Sequence, residues 1–161
     1  MLEWRIESQP ERTLVGISMS MSLANNRTAE LWRSFMPRHK EIKSLSSDLF
    51  ALRIYDRLDH PFHDPKAEFV KWASVEADAA CEIPEGMSKV VVPGGLYAVF
   101  HYKGLPAAGA PAFQYIFNDW LPKSGYQLDL RPHFELLGEK YNNASVDSEE
   151  DIYLPIYPPG G

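Results

Sequence analysis

The sequence predicts an α+β domain of two β-α-β-β modules in tandem. Their strands form one mainly antiparallel sheet, with two helices on one face and a central ligand cleft. Three observations carry that reading. Several runs alternate apolar and polar residues at the two-residue period of a half-buried strand. Two other runs carry an apolar stripe at helical spacing and stop near a proline. The order strand, helix, strand, strand then occurs twice. Sliding the second half back by 85 positions sets Pro122 on Pro37, Leu121 on Met36, Trp120 on Phe35, Phe117 on Trp32 and Ile116 on Leu31. A duplicated unit explains this more simply than unrelated elements do. The expected domain covers residues 1–157, with pseudo-repeats at 1–80 and 85–157 and a disordered tail at 158–161.

In chain order, Leu2 to Ile6 and Thr13 to Met21 read as strand, broken near Pro10. In the second run Thr13, Val15, Ile17, Met19 and Met21 share one face. Asn25 and Asn26 offer an N-cap, and Thr28, Leu31, Trp32, Phe35 and Met36 form a helical stripe that halts at Pro37. Asp48 to Asp56 and Ala67 to Asp78 read as strands joined by the turn-rich DRLDHPFHDP. Along the latter strand, Phe69, Lys71, Ala73 and Val75 face one way and Glu68, Val70, Trp72, Ser74 and Glu76 the other. After the loop CEIPEGM, Lys89 to Val92 and Leu96 to Tyr102 read as one long strand bent or bulged at Pro93, Gly94 and Gly95. Pro106 to Leu121 reads as the second helix, with Phe113, Ile116, Phe117, Trp120 and Leu121 as its stripe and Pro122 and Gly125 as its stop. His133 to Gly138 and Asp151 to Ile156 are the last strands.

Composition excludes several function classes. The 161 residues fit one domain, and 45% apolar content can build a core. A net charge of −6 argues against a nucleic-acid surface. The one basic cluster, Arg33, Arg38, His39 and Lys40, is diluted by Glu41. No run approaches the roughly 20 apolar residues of a membrane span, and the N-terminus has no apolar signal core, so a cytoplasmic chain is expected. Cys81 stands alone, which excludes an internal disulfide and fits a reducing compartment. His60 and His63 with Asp59 and Asp64 form a loop of metal-ligating residue types, but no third ligand stands at a diagnostic distance, so no metal is expected. Pro93 to Gly95 lacks the Lys and Ser/Thr of a phosphate loop, and no cofactor motif appears.

Glu135 is the residue that points to chemistry. Within RPHFELLGEKY it falls in an apolar run, with His133 and Leu137 on its side of the strand. A carboxylate there is solvated at an edge, paired, protonated or awaiting a cationic ligand, because burying it bare is too costly. Aromatic faces attract organic cations. Tyr55, Trp72, Tyr97, Tyr102, Phe117, Trp120 and Tyr153 lie on the elements expected to border the cleft, with core packing as each ring's other role. Trp72 and Trp120 are the expected walls, since each indole N–H seeks a polar partner. Glu135 is also the residue a hydrolase would use as general base on water, given a pKa raised toward neutrality.

The ordered set IPEGM, VPGGLYAVFHYKG, NDWLPKSGY, RPHFELLGEKY and EEDIYLPI resembles the GyrI-like family of small-molecule-binding domains. TLVGISMSMSLANNRTAELWRSFMP and KWASVEAD extend the resemblance over almost the whole chain. That resemblance implies tandem β-α-β-β modules, an apolar cleft for organic and often cationic ligands, and a buried glutamate that carries over to Glu135. It also implies the fused effector-binding domains of AraC-type and MerR-type regulators, a gyrase-inhibitory protein, and members that hydrolyse strained rings or esters in genotoxic compounds. A small organic ligand is thus the expected partner, with gyrase or a transcription regulator as the protein partner the family implies. Two features depart from the pattern. GLPAAGAPAF, at the start of the second helix, is short of acidic residues, and no helix-turn-helix precedes Met1, so a stand-alone binder is expected.

Overall fold

A computed structural model describes residues 2–56 and 64–158. Its strands are β1 (Glu3–Gln9), β2 (Arg12–Met21), β3 (Leu49–Ile54), β4 (Phe69–Glu76), β5 (Ser88–Val92), β6 (Gly95–Lys103), β7 (Gln127–Leu128), β8 (His133–Leu137) and β9 (Glu149–Tyr157). They line up in the order β1-β6-β9-β8-β3-β4-β2-β5, every pairing antiparallel, with β7 on β9. The architecture is the expected α+β pair of β-α-β-β modules: β2, β3 and β4 with one helix, then β6, β8 and β9 with the other. The modules meet at the β3–β8 seam, where Ala51 faces Glu135 and Leu52 faces Phe134.

One element pairing differs from expectation. Pro93 and Gly94 do not bend a single long strand. They carry the chain from β5, paired with β2, across to β6, paired with β9 and β1. Residues around Pro10 do the same between β1 and β2, so the strand leading into each module pairs with the other module. The two crossings touch: a Cβ on Gly94 would lie 2.9 Å from both Gln9 O and Glu11 N. Only glycine allows that backbone approach.

Helix α1 (Thr28–Phe35) has Arg27 rather than Asn25 or Asn26 at its N-cap, with no side-chain cap there, and Asn26 Oδ1, one residue earlier, accepts from Thr28 N at 3.0 Å. A 3-10 segment, Met36–Glu41, follows, with Pro37 in its first turn. The second helical rod covers residues 110–124 and runs past Pro122. It comprises α2 (Ala110–Tyr115), a π turn (Ile116–Trp120) and α3 (Leu121–Ser124), and it ends at left-handed Gly125. In a regular helix the Pro122 ring would clash with the carbonyl of Asn118. The wide turn just before it is where such a ring can be accommodated.

The sheet buries residues on both faces. Toward α1 it buries Val15, Met21, Ala73 and Val75 with Leu31 and Phe35, and toward the rod Ala98, Phe100, Ile152 and Leu154 with Ile116 and Trp120. The opposite face holds an aromatic core of Phe50, Trp72, Tyr97, Phe134 and Tyr153 with Leu14, Leu52 and Val99. Phe134 and Tyr153 stack at 4.5 Å. Arg12 lies 5.6 Å from the Phe50 centroid and Arg131 4.7 Å from that of Tyr97, so two guanidinium planes cap these rings.

Along β6 and β9, His101 Nδ1 lies 2.9 Å from Asp151 and Nε2 2.7 Å from Glu149. The hydrogen bond to Asp151 does most to raise the imidazole pKa; burial opposes it, and the hydrogen bond to Glu149 and the charges of both carboxylates add to the rise. A raised pKa means the folded state holds the proton more tightly. The resulting stabilisation is full below the unfolded pKa of about 6.5 and is lost as pH rises through the folded value. Melting His101→Asn beside the native protein from pH 5 to 9 should show the gap narrowing with pH. A constant gap would contradict this assignment.

Candidate functional site

The hollow that holds Glu135 lies over the β3–β8 seam, beside the rod. It is open-sided and nearly filled by its own side chains, with room for about one water, about 10 Å³, and Ala51, Arg53, Tyr55, Phe113, Phe117 and His133 are among its lining residues. Strand alternation puts the charged groups there. Arg53 follows Ala51 on the same face of β3, while His133 and Glu135 share that face of β8. Lys71 pairs with Arg53 from β4, and Ile152, two residues beyond Glu150 on β9, faces Glu135. Lys71, Arg53, Glu135 and Glu150 therefore line up across four neighbouring strands.

Of the alternatives open for Glu135, the structure selects pairing. An Arg53 Nη lies 3.0 Å from Glu135 Oε1, and the two side chains keep only 17% and 13% of their surface exposed. The Arg53 guanidinium also lies 4.5 Å from the Phe113 centroid. Burial alone would raise the Glu135 pKa. Arg53 opposes this first, then a hydrogen bond with Glu150 and the charge of Lys71, and together they hold it below the usual carboxylate range. Glu150 shifts the other way: burial, the hydrogen bond to Glu135 and the repulsion between the two carboxyls push it well above that range. One of the two carboxyls is thus protonated and donates to the other.

The surrounding groups fit this balance. Burial and nearby Arg53 lower Lys71 to about 7, and its Nζ donates to Thr28 Oγ1 at 3.1 Å. His133 is buried beside Arg53 and Arg131, which lowers its pKa to about 3, so it is neutral at physiological pH. Its ring lies 4.8 Å from Tyr55 edge-on and 6.1 Å from Phe117 stacked. Burial, Glu150 and Glu135 push Tyr141 up to about 12, keeping that phenol protonated.

The structure brings only part of the sequence-derived set together. Glu135, Tyr55 and Phe117 line the hollow. Tyr153 also lines it, though its ring belongs to the core of the opposite face. Tyr102 shares the helix-side face but donates to Leu105 O at 2.8 Å. Trp120 packs against Phe100 and Trp4, away from the seam. Trp72 and Tyr97 lie in the opposite-face core, and the Trp72 indole N–H is buried without the polar partner expected for it. His60, His63 and Asp59 of the candidate metal loop fall outside the described residues. Among the described residues no group of three His, Cys, Asp or Glu side chains is arranged for a metal, and no helix is long and apolar enough to cross a membrane.

Sequence reasoning missed Arg53, Lys71 and Glu150. The available signal was the lone charge on an otherwise apolar face. Lys71 shares its face with Phe69, Ala73 and Val75, and Arg53 shares its face with Ala51 and Tyr55.

The model of the GyrI-like small molecule binding domain matches residues 2–157. The chain belongs to the GyrI-like family. A GyrI-like domain is a small-molecule-binding module, and the nine-stranded sheet with its two helical segments is that module's fold. The chain is 29% identical over 154 residues to the transcriptional regulator BrlR of Pseudomonas aeruginosa, a match covering 95% of this chain and 55% of the regulator. It therefore spans about half the length of that relative. Two solved structures show the same fold. A putative bacterial transcription regulation protein from Staphylococcus aureus MU50 has a TM-score of 0.66 at 18% identity, over 97% of this chain and 99% of that one. SAV2435, solved bound to tetraphenylphosphonium, has a TM-score of 0.70 at 17% identity, over 96% and 94%.

Proposed function

We propose that this GyrI-like domain binds hydrophobic organic cations in the hollow over the β3–β8 seam, with Glu135 as the counter-charge. The observation that carries the reading is a carboxylate kept ionised in a largely buried place, beside the rings of Phe113, Phe117, Tyr55 and His133. A poorly screened carboxylate and aromatic faces both favour a large, weakly hydrated cation. The tetraphenylphosphonium bound by SAV2435 is a cation of this class. A hydrolytic reading has less support, because a general base works best near neutral pKa and Arg53 holds Glu135 lower.

Titration with tetraphenylphosphonium by calorimetry tests the proposal, and its pH dependence adds a sharper check. Among the charged groups around Lys71, Arg53 and Glu135 stay ionised near neutrality and Glu150 stays protonated. Lys71, near 7, is the group that titrates. An entering cation repels its ammonium form, so binding expels a proton and affinity should rise from pH 6 to 8 and then level. Absence of binding at every pH would contradict the proposal, and pH-independent affinity would remove Lys71 from it.

A further inference from the structure

Arg53 already holds the place that the proposed function gives to a ligand. Its guanidinium is a flat, delocalised cation, with a carboxylate oxygen at 3.0 Å and an aromatic centroid at 4.5 Å. Those are the two contacts the hollow would offer an organic cation. The hold is incomplete, because Arg53 Nε is buried with no hydrogen-bond partner and the side chain remains 17% exposed.

We propose that Arg53 is the specificity-determining residue of this hollow: it fills the cation seat itself, and a cationic ligand enters only by displacing the guanidinium from Glu135. This rests on the reading of the hollow as a cation site. The physical reason is charge balance. Lys71 stands beside Arg53 on the neighbouring strand, and the second carboxyl, Glu150, is protonated. A ligand arriving with Arg53 in place would add a positive charge to a pair that is already neutral and lies next to an amine. A small ammonium ion brings little apolar surface to offset the lost Arg53 contacts. A bulky cation brings several rings, so the seat selects for size and apolar area as well as for charge.

The test compares native protein, Arg53→Met and Glu135→Gln by calorimetric titration with tetraphenylphosphonium, the fold of each being checked by circular dichroism. Methionine keeps much of the apolar stem and removes the competing charge, while the hydrogen bond with Glu150, the charge of Lys71 and the entering cation itself still favour the Glu135 carboxylate. The expected result is at least tenfold tighter binding to Arg53→Met than to native protein. Millimolar methylguanidinium should compete in the variant and have no effect on the native chain. If Arg53→Met does not fold, Arg53→Lys is read in its place, with about threefold tighter binding expected, since lysine loses the fork and the stacking on Phe113. Unchanged or weaker binding to the folded variant, with native binding intact and lost in Glu135→Gln, would overturn the competitor role and leave the proposed function standing. No binding to either native protein or variant would overturn both.

Discussion

Glu135→Gln is expected to abolish most tetraphenylphosphonium binding and to destabilise the fold in the same step. The binding loss should be tenfold or more, at least about 1.4 kcal/mol, because the amide removes the ligand's counter-charge from a poorly screened site. The stability loss has a separate origin. Glu135 offsets the desolvation of Arg53, and the two side chains are 13% and 17% exposed. Removing one partner of a buried ion pair leaves the other uncompensated, which costs about 3 kcal/mol at the low end of such cases, as suits a pair that still touches solvent. Glu150 can replace it only in part, because burial still opposes its ionisation once the hydrogen bond and repulsion of Glu135 are gone. Chemical denaturation of the unliganded variant measures the second effect apart from the first. A variant as stable as the native chain would mean that Arg53 has a second anchor.

Phe134→Ala should be the most damaging single truncation near the seam, costing about 4 kcal/mol of stability. Phe134 is 3% exposed and adjoins Glu135 on β8 but faces the opposite side. Its ring lies 4.5 Å from Tyr153, 5.4 Å from Tyr97 and 5.8 Å from Phe50, with the Arg12 guanidinium 5.7 Å above it. Alanine would leave a cavity among rings contributed by both modules and remove a face from Arg12. The strand that carries Glu135 would lose its backing, so the variant should also bind cations more weakly. Urea denaturation measures the stability loss. A change under about 1 kcal/mol would show that the opposite-face core closes over the gap.

Local patterning made most of the elements legible. Alternation from Thr13 to Met21 marks β2, and the stripe at Leu31 and Phe35 marks α1, because each depends only on near neighbours. Partner choice was not legible. The runs ending at Ile6 and Val92 reveal a buried or wet side but not which strand lies alongside, so the exchange of β1 and β5 between modules stayed hidden. The π turn at Ile116–Trp120 was equally silent, since its apolar stripe also fits an ordinary helix. At the site, the isolation of Glu135 in RPHFELLGEKY was readable as a charge in the wrong company. Its partner was not, because Arg53 lies 82 positions earlier in the chain, and only the pairing of Arg53 with His133 brings it next to Glu135. The aromatic set was read too broadly for a related reason. A ring on a strand bordering a cleft has two faces to choose between, and Trp72 and Tyr97 take the one away from the helices.

The most direct measurement is a crystal structure with tetraphenylphosphonium bound. The account predicts the phosphonium over the β3–β8 seam, its rings against Phe113 and Phe117, the Glu135 carboxylate facing it and the Arg53 guanidinium drawn away from Glu135. A cation seated in the Trp72 and Tyr97 core of the opposite face, or one bound with the Arg53–Glu135 pair intact and remote, would contradict it.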